Sequence, residues 1–179
     1  MRILLFILVF FIIGCRDKKT PSLFGELTEL TDVKIHLVDY GLENIPAEIG
    51  DLKNAKRICI SKDSTTGWTL YPPLGRMYEE RSKPPYKQLP DQITTLTGLK
   101  SLTLVGLDLN TLPDSFGRLK ELDTLILYMN KLTIANELDK LKGLKKLKYL
   151  GLMGNIVTAN DLEELERSIP GIVTNPGLR

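Results

Sequence analysis

The sequence predicts an α/β repeat fold, a short solenoid with parallel strands on a concave face and short helices or turns on a convex one. Three observations carry this expectation. A six-residue phrase recurs as Leu99-Lys-Ser-Leu102-Thr-Leu104, Leu122-Asp-Thr-Leu125-Ile-Leu127 and Leu147-Lys-Tyr-Leu150-Gly-Leu152. Its leucines at the fourth and sixth positions give the period-two pattern of a strand with one buried face. The phrase also returns at regular spacing, and a unit that cannot bury its leucines alone must stack on its neighbours.

The chain opens on a different kind of segment. Arg2 supplies a positive start, and Ile3 to Ile13 are eleven unbroken apolar residues. As a helix they cover roughly 17 Å, short of a ~30 Å hydrocarbon core, so a secretory signal peptide fits better than a spanning helix. Ile12-Ile13-Gly14-Cys15 then resembles the bacterial lipobox: an aliphatic residue, a variable one, a small one and cysteine. That resemblance implies that the Cys15 sulfur receives a diacylglycerol, that the chain is cut just before it, and that the new amino terminus is acylated. Two or more acyl chains hold a protein stably where one does not. Residues 1–14 are thus expected to be a lipoprotein signal peptide, and 15–23 the lipidated cysteine and its tether. The repeat domain is expected over 24–174 and a tail over 175–179. The expected location is a bacterial cell envelope, anchored on the periplasmic side or at the cell surface.

Within the repeat domain the frame extends upstream to Ala55-Lys-Arg-Ile58-Cys-Ile60 and Leu30-Thr-Asp-Val33-Lys-Ile35, and downstream to Ile172. The flanks recur too: Phe24-Gly-Glu-Leu27 and Phe116-Gly-Arg-Leu119, and the pairs Ile45-Pro46, Leu89-Pro90 and Leu112-Pro113. Together with Asn130 and Asn155 at the ninth position, the pattern resembles LxxLxLxxNxL of the leucine-rich repeat family. Asparagine suits that slot because its amide satisfies backbone groups at the turn. Leu107 occupies the slot in the third unit, so an irregularity is expected there. In the first unit Val38 or Tyr40 takes the slot, and two frames disagree by two residues; Val33, Ile35 and Leu37 face inwards in both. Leu138, Leu141 and Leu144 form a helical stripe, and a final helix is expected over 161–168 with Asn160 or Asp161 as its N-cap. Lys140, Lys142, Lys145, Lys146 and Lys148 read as a solvated face, with headgroup contact as the lesser alternative.

Composition narrows the function. The 179 residues, 42% hydrophobic and 26% charged, belong to a globular chain. A net charge of +2 gives no reason to expect nucleic acid. The two cysteines, Cys15 and Cys59, exclude a disulfide scaffold. The single histidine, His36, and the absence of GxSxG, HExxH, paired CxxC and GxxxxGK[ST] motifs point away from an enzyme and from any metal or cofactor. A thiolate–imidazole pair of Cys59 and His36 on adjacent strands is the one arrangement to test; two unrelated polar residues is the better reading.

In the leucine-rich repeat family partners dock on the strand face, through the residues between the leucines. The resemblance therefore nominates Lys34 and His36; Arg57, Cys59 and Ser61; Ser101, Thr103 and Val105; Thr124, Ile126 and Tyr128; and Tyr149, Gly151 and Met153. Val105, Ile126, Tyr128, Met129, Tyr149 and Met153 form an apolar and aromatic cluster suited to a protein partner. The alternative is that a C-terminal cap or self-association covers it. Between the second and third units lies an insertion of 21 residues within about 61–88, carrying two Pro-Pro pairs, Trp68, Tyr71, Tyr78 and Tyr86. Trp, Tyr and Arg are enriched in binding hot spots. The insertion is read either as a binding loop over the rim or as a plug between repeats. A carbohydrate or cell-wall binding module that stacks glycan on Trp68 and the loop tyrosines is the alternative function.

Overall fold

The computed structural model describes residues 23–62 and 88–177. Six short strands, β1 (Asp32–His36), β2 (Arg57–Ser61), β3 (Ser101–Val105), β4 (Thr124–Ile126), β5 (Tyr149–Gly151) and β6 (Val173–Asn175), form one sheet in sequence order. Every neighbouring pair is parallel. Each unit contributes one strand, and the register keeps equivalent positions level: Val33, Ile58, Leu102, Leu125 and Leu150 form one row across the sheet. Ile35, Ile60 and Leu104 form the next, continued by Leu127 and Leu152 beyond the shorter strands. All of these side chains are buried. Such burial removes ~1.5–3 kcal/mol per side chain from exposure to water, and it is shared between adjacent units, so the core is one continuous stripe. This is the short α/β solenoid that the repeat pattern predicts.

The convex layer is built from 3-10 turns, then from α-helices. Ala47–Asp51, Asp91–Thr95 and Asp114–Arg118 are 3-10 turns that open directly after Pro46, Pro90 and Pro113. Each proline carbonyl accepts the N–H three residues on, from Ile49 (3.2 Å), Ile93 (3.1 Å) and Phe116 (3.0 Å). Proline fixes φ in the range these turns need and has no N–H to leave unpaired. The recurrent Pro thus starts each turn, and Ile49, Ile93 and Phe116 plug the core from behind. In the last units the turn lengthens to α-helices, Ile134–Lys142 and Ala159–Ser168. Leu138, Leu141 and Leu144 are buried as the helical stripe requires. The first helix packs its end so tightly on the preceding turn that a Cβ at Gly143 would lie 2.8 Å from the Gly117 Cα.

Several expectations are revised. The final helix begins two residues earlier, and its N-cap is Thr158, not Asn160 or Asp161. Thr158 Oγ1 accepts the Asp161 N–H (3.2 Å) while the Asp161 carboxylate accepts the Thr158 N–H (2.8 Å), a reciprocal capping box. The sixth unit pairs Leu150 with Thr174, one residue ahead of the frame set at Ile172. That unit has no strand leucines to fix its register; the Ile172-to-Ile169 turn and the bond from Val173 N–H to the Lys148 carbonyl fix it instead. In the first unit Val33 lies opposite Ile58, which selects the upstream frame, and Leu37 opens a 3-10 turn ending at left-handed Gly41.

The lysines are not a uniformly solvated face. Lys140 bonds to Glu137 (3.0 Å), the Leu112 carbonyl (2.7 Å) and Thr111 (3.1 Å) in a partly buried network. Lys142 pairs with Glu164 and Lys146 with Glu121. Stacking brings carboxylates from units 22–25 residues away, which a single helical wheel does not reveal. Lys145 and Lys148 are exposed as expected.

The third unit is irregular as the Leu107 substitution predicts. Gly106, Met129 and Gly154 all hold the left-handed turn conformation at the eighth position, and the third unit adds a second such residue two places on, Asp108 (φ 52°). Its missing amide is supplied from the next unit. Asn130, 4% exposed, accepts the N–H groups of both Leu107 and Leu109 at 3.2 Å and donates to the carbonyls of Leu104, Leu127 and Tyr128.

Because β2 pairs directly with β3, the insertion lies wholly in the connection between them. The signal segment, Cys15, the tether up to residue 22, and Trp68 and Tyr71 of the insertion lie outside the described residues.

Candidate functional site

Strand residues between the buried leucines form three columns across the concave face. The first runs Asp32, Arg57, Ser101, Thr124, Tyr149 and Val173; the second runs Lys34, Cys59, Thr103, Ile126, Gly151 and Asn175. The third runs His36, Ser61 and Val105, and the repeat spacing carries it on to Tyr128 and Met153. The face is polar and charged over the first units, and apolar and aromatic over the last.

At the polar end Asp32 and Arg57 are bonded side by side in the open. The Arg57 guanidinium holds the Asp32 carboxyl below the usual carboxylate range. His36 Nδ1 lies 2.7 Å from Ser61 Oγ, and the strand register sets Lys34, not His36, opposite Cys59. Burial pushes the Cys59 thiol above its ordinary pKa, only partly offset by Lys34. A thiol so held is protonated at neutral pH, the opposite of an activated nucleophile. The Cys59–His36 pairing is therefore replaced by a His36–Ser61 contact. Among the described residues no group of three His, Cys, Asp or Glu side chains could hold a metal ion. Nor is any described helix long and apolar enough to cross a membrane.

At the apolar end the geometry is more organised. Gly151 leaves room for the Tyr128 ring, since a Cβ there would lie 2.5 Å from Tyr128 Cε1. Lying across β5, Tyr128 brings its hydroxyl 2.8 Å from that of Tyr149. Asn175 Nδ2 donates to both hydroxyls at 3.3 Å. Burial, then the bond to Tyr149, pushes the Tyr128 phenol above its ordinary pKa. Val105, Thr124, Ile126, Tyr128 and Tyr149 are each partly exposed. Met153 is 40% exposed and Met129 55%.

The structure thus brings Val105, Ile126, Tyr128, Tyr149 and Met153 together on the face. Met129 departs from them: its φ of 56° turns it onto the rim beside Gly154, whose Cβ would meet Met129 Sδ at 3.1 Å. The chain's own last described residues close one side of the cluster, with Asn175 on the tyrosines and Gly177 against Met153. Asn175 is the participant that sequence reading missed. Its signal was the final strand's register, which sets it opposite Gly151.

No protein-family model matches this chain, and no curated protein matches it. Solved structures that resemble it include a leucine-rich-repeat protein of Leptospira interrogans, 26% identical over 73% of this chain and 33% of that one, with a TM-score of 0.46. An internalin C2 of Listeria monocytogenes is 19% identical over 73% of this chain and 45% of that one, with a TM-score of 0.45. The plant peptide hormone receptor RGFR1, solved in complex with RGF2, is 21% identical over 87% of this chain and 22% of that one, with a TM-score of 0.49. The chain spans less than half the length of each of these three proteins. In its own architecture, one parallel strand per leucine-patterned unit with turns and short helices behind, the chain has the leucine-rich-repeat fold.

Proposed function

We propose that this protein is a lipid-anchored leucine-rich-repeat protein of a bacterial cell envelope, acylated at Cys15, that binds a protein partner. Binding uses the concave strand face, with the 61–88 insertion contributing Trp68 and Tyr71 at the rim. The observation that supports partner binding is the group Val105, Ile126, Tyr128, Tyr149 and Met153, apolar and partly exposed on consecutive strands, with Tyr128 and Tyr149 fixed by their mutual hydrogen bond. Aromatic side chains already held in place lose less conformational freedom on binding. Lys34, His36 and Arg57 at the other end of the face offer polar contacts that set orientation.

The test is a pull-down from envelope extract comparing the parent with Tyr128→Ala/Met153→Ala and with Trp68→Ala. Loss of a protein partner in the first variant is the expected result. Retention of that partner by the first variant, with loss of glycan binding in the second, would overturn it in favour of a carbohydrate-binding module. The intact mass of the membrane-extracted protein tests acylation and cleavage at Cys15 separately.

A further inference from the structure

Along the edge of the sheet where the strands begin, the units are basic. The residues leading into β2 to β5 (53–56, 97–100, 120–123 and 145–148) hold Lys53, Lys56, Lys100, Lys120, Lys145, Lys146 and Lys148 against Glu121 and Asp123. Their net of +5 exceeds the +2 of the whole chain, so the excess is local. All seven lysines are exposed, and the level register of β2 to β5 lines them up on one flank. Three lean along that flank toward the next unit: Lys53 to Thr95 Oγ1 (2.6 Å), Lys56 to the Gly98 carbonyl (3.5 Å) and Lys120 to the Gly143 carbonyl (2.9 Å).

Glu121 is bonded by Lys146 at 2.7 Å, and its carboxyl is held below the ordinary range first by Lys146, with Lys100 and Lys56 adding to the effect. Lysines from three units therefore act on one point of this edge. The opposite edge is different in kind. After β3, β4 and β5 (106–110, 129–133 and 154–158) the only charged residues are Asp108 and Lys131, which pair at 3.2 Å, and the one described residue after β2 is Lys62. A solenoid arches across its strands, so the strand starts share one side of the arch, a flank that meets a broad surface more readily than the concave face does.

We propose that this flank docks on a membrane surface bearing anionic headgroups, laying the solenoid on its side with its concave face still open. Charge complementarity selects the occupant, since a flank with this net excess of lysines near such a surface is attracted over about a Debye length. The inference rests on the membrane location proposed above.

The test uses the full chain and vesicles of phosphatidylcholine alone or with added phosphatidylglycerol. Phosphatidylglycerol is expected to raise binding of the parent, and added salt to abolish the gain. Lys145→Gln/Lys148→Gln is expected to cut the phosphatidylglycerol-dependent partition by about tenfold or more. Lys62→Gln/Lys131→Gln, an equal charge change away from this flank, is expected to alter it by less than about twofold, with thermal midpoints of both variants matching the parent. Indifference to phosphatidylglycerol, equal losses in the two pairs, or retention on dextran sulfate without vesicle binding would each overturn the inference. An unacylated chain that prefers anionic vesicles removes the anchor and leaves the flank standing; an acylated chain indifferent to lipid charge does the reverse.

Discussion

Asn130→Ala should be among the more damaging changes of a polar side chain in the described array. Two buried N–H groups, on Leu107 and Leu109, have the Asn130 side-chain oxygen as acceptor, each at 3.2 Å. An N–H left buried without a partner costs ~1–3 kcal/mol. Of the three carbonyls bonded by its amide, two keep a partner: Tyr128 the Gly106 N–H at 3.0 Å and Leu127 the Asn155 Nδ2 at 2.7 Å. For the two N–H groups together the loss is ~2–6 kcal/mol. Asn155 occupies the same slot one unit later but accepts only the Leu132 N–H (3.1 Å), and it is partly exposed, so water replaces what alanine removes. Asn155→Ala should cost ~1–2 kcal/mol. Urea denaturation of the full chain measures both as shifts in midpoint at unchanged slope. Equal losses, or a larger loss for Asn155→Ala, would refute the claim that Asn130 serves two units at once.

Two further outcomes follow from packing and titration. Gly143→Ala should destabilise the fold by ~1–3 kcal/mol, because its Cβ would lie 2.8 Å from the Gly117 backbone, which has no side chain to swing aside; Gly25→Ala, with open space around it, is the neutral control in the same thermal melt. Alkylation of Cys59 by iodoacetamide, read peptide by peptide in a mass spectrometer, should show a pH midpoint above that of free cysteine, since burial raises its pKa. By the same sign, the stability tied to this thiol is present in full below the unfolded-state pKa and is lost as pH rises through the folded one; a midpoint at or below that of free cysteine contradicts the burial argument.

Much of the architecture was legible because the repeat is a physical device as well as a pattern. Leu102, Leu125 and Leu150 share a row because each needs the others to be buried, and the prolines at 46, 90 and 113 start turns through their fixed φ. What escaped the reading depends on contacts between units. Thr158 caps the last helix because Asp161 answers it across three residues, and the same window offered Asn160 and Asp161 as equally good caps. Lys140 and Glu137 became buried partners only once Thr111 and Leu112 of the preceding unit were stacked beneath them. The face residues named from the sequence lacked Asp32, Val173 and Asn175; the bond from Tyr128 to Tyr149 depends on the missing side chain at Gly151, and Asn175 joined them through a register that Ile172 had suggested wrongly.

The long connection between β2 and β3 enters the array at a seam with its own ladder: Arg57 to Ser61 run level with Ser101 to Val105, and Ile58, Ile60, Leu102 and Leu104 interlock behind them. Covalent continuity there is redundant with non-covalent adhesion. A protease cut inside the connection should therefore leave a nicked molecule whose two pieces stay clasped under native conditions and part only in denaturant. Separately made pieces should find each other by the same complementarity, a split-protein design already present in the chain.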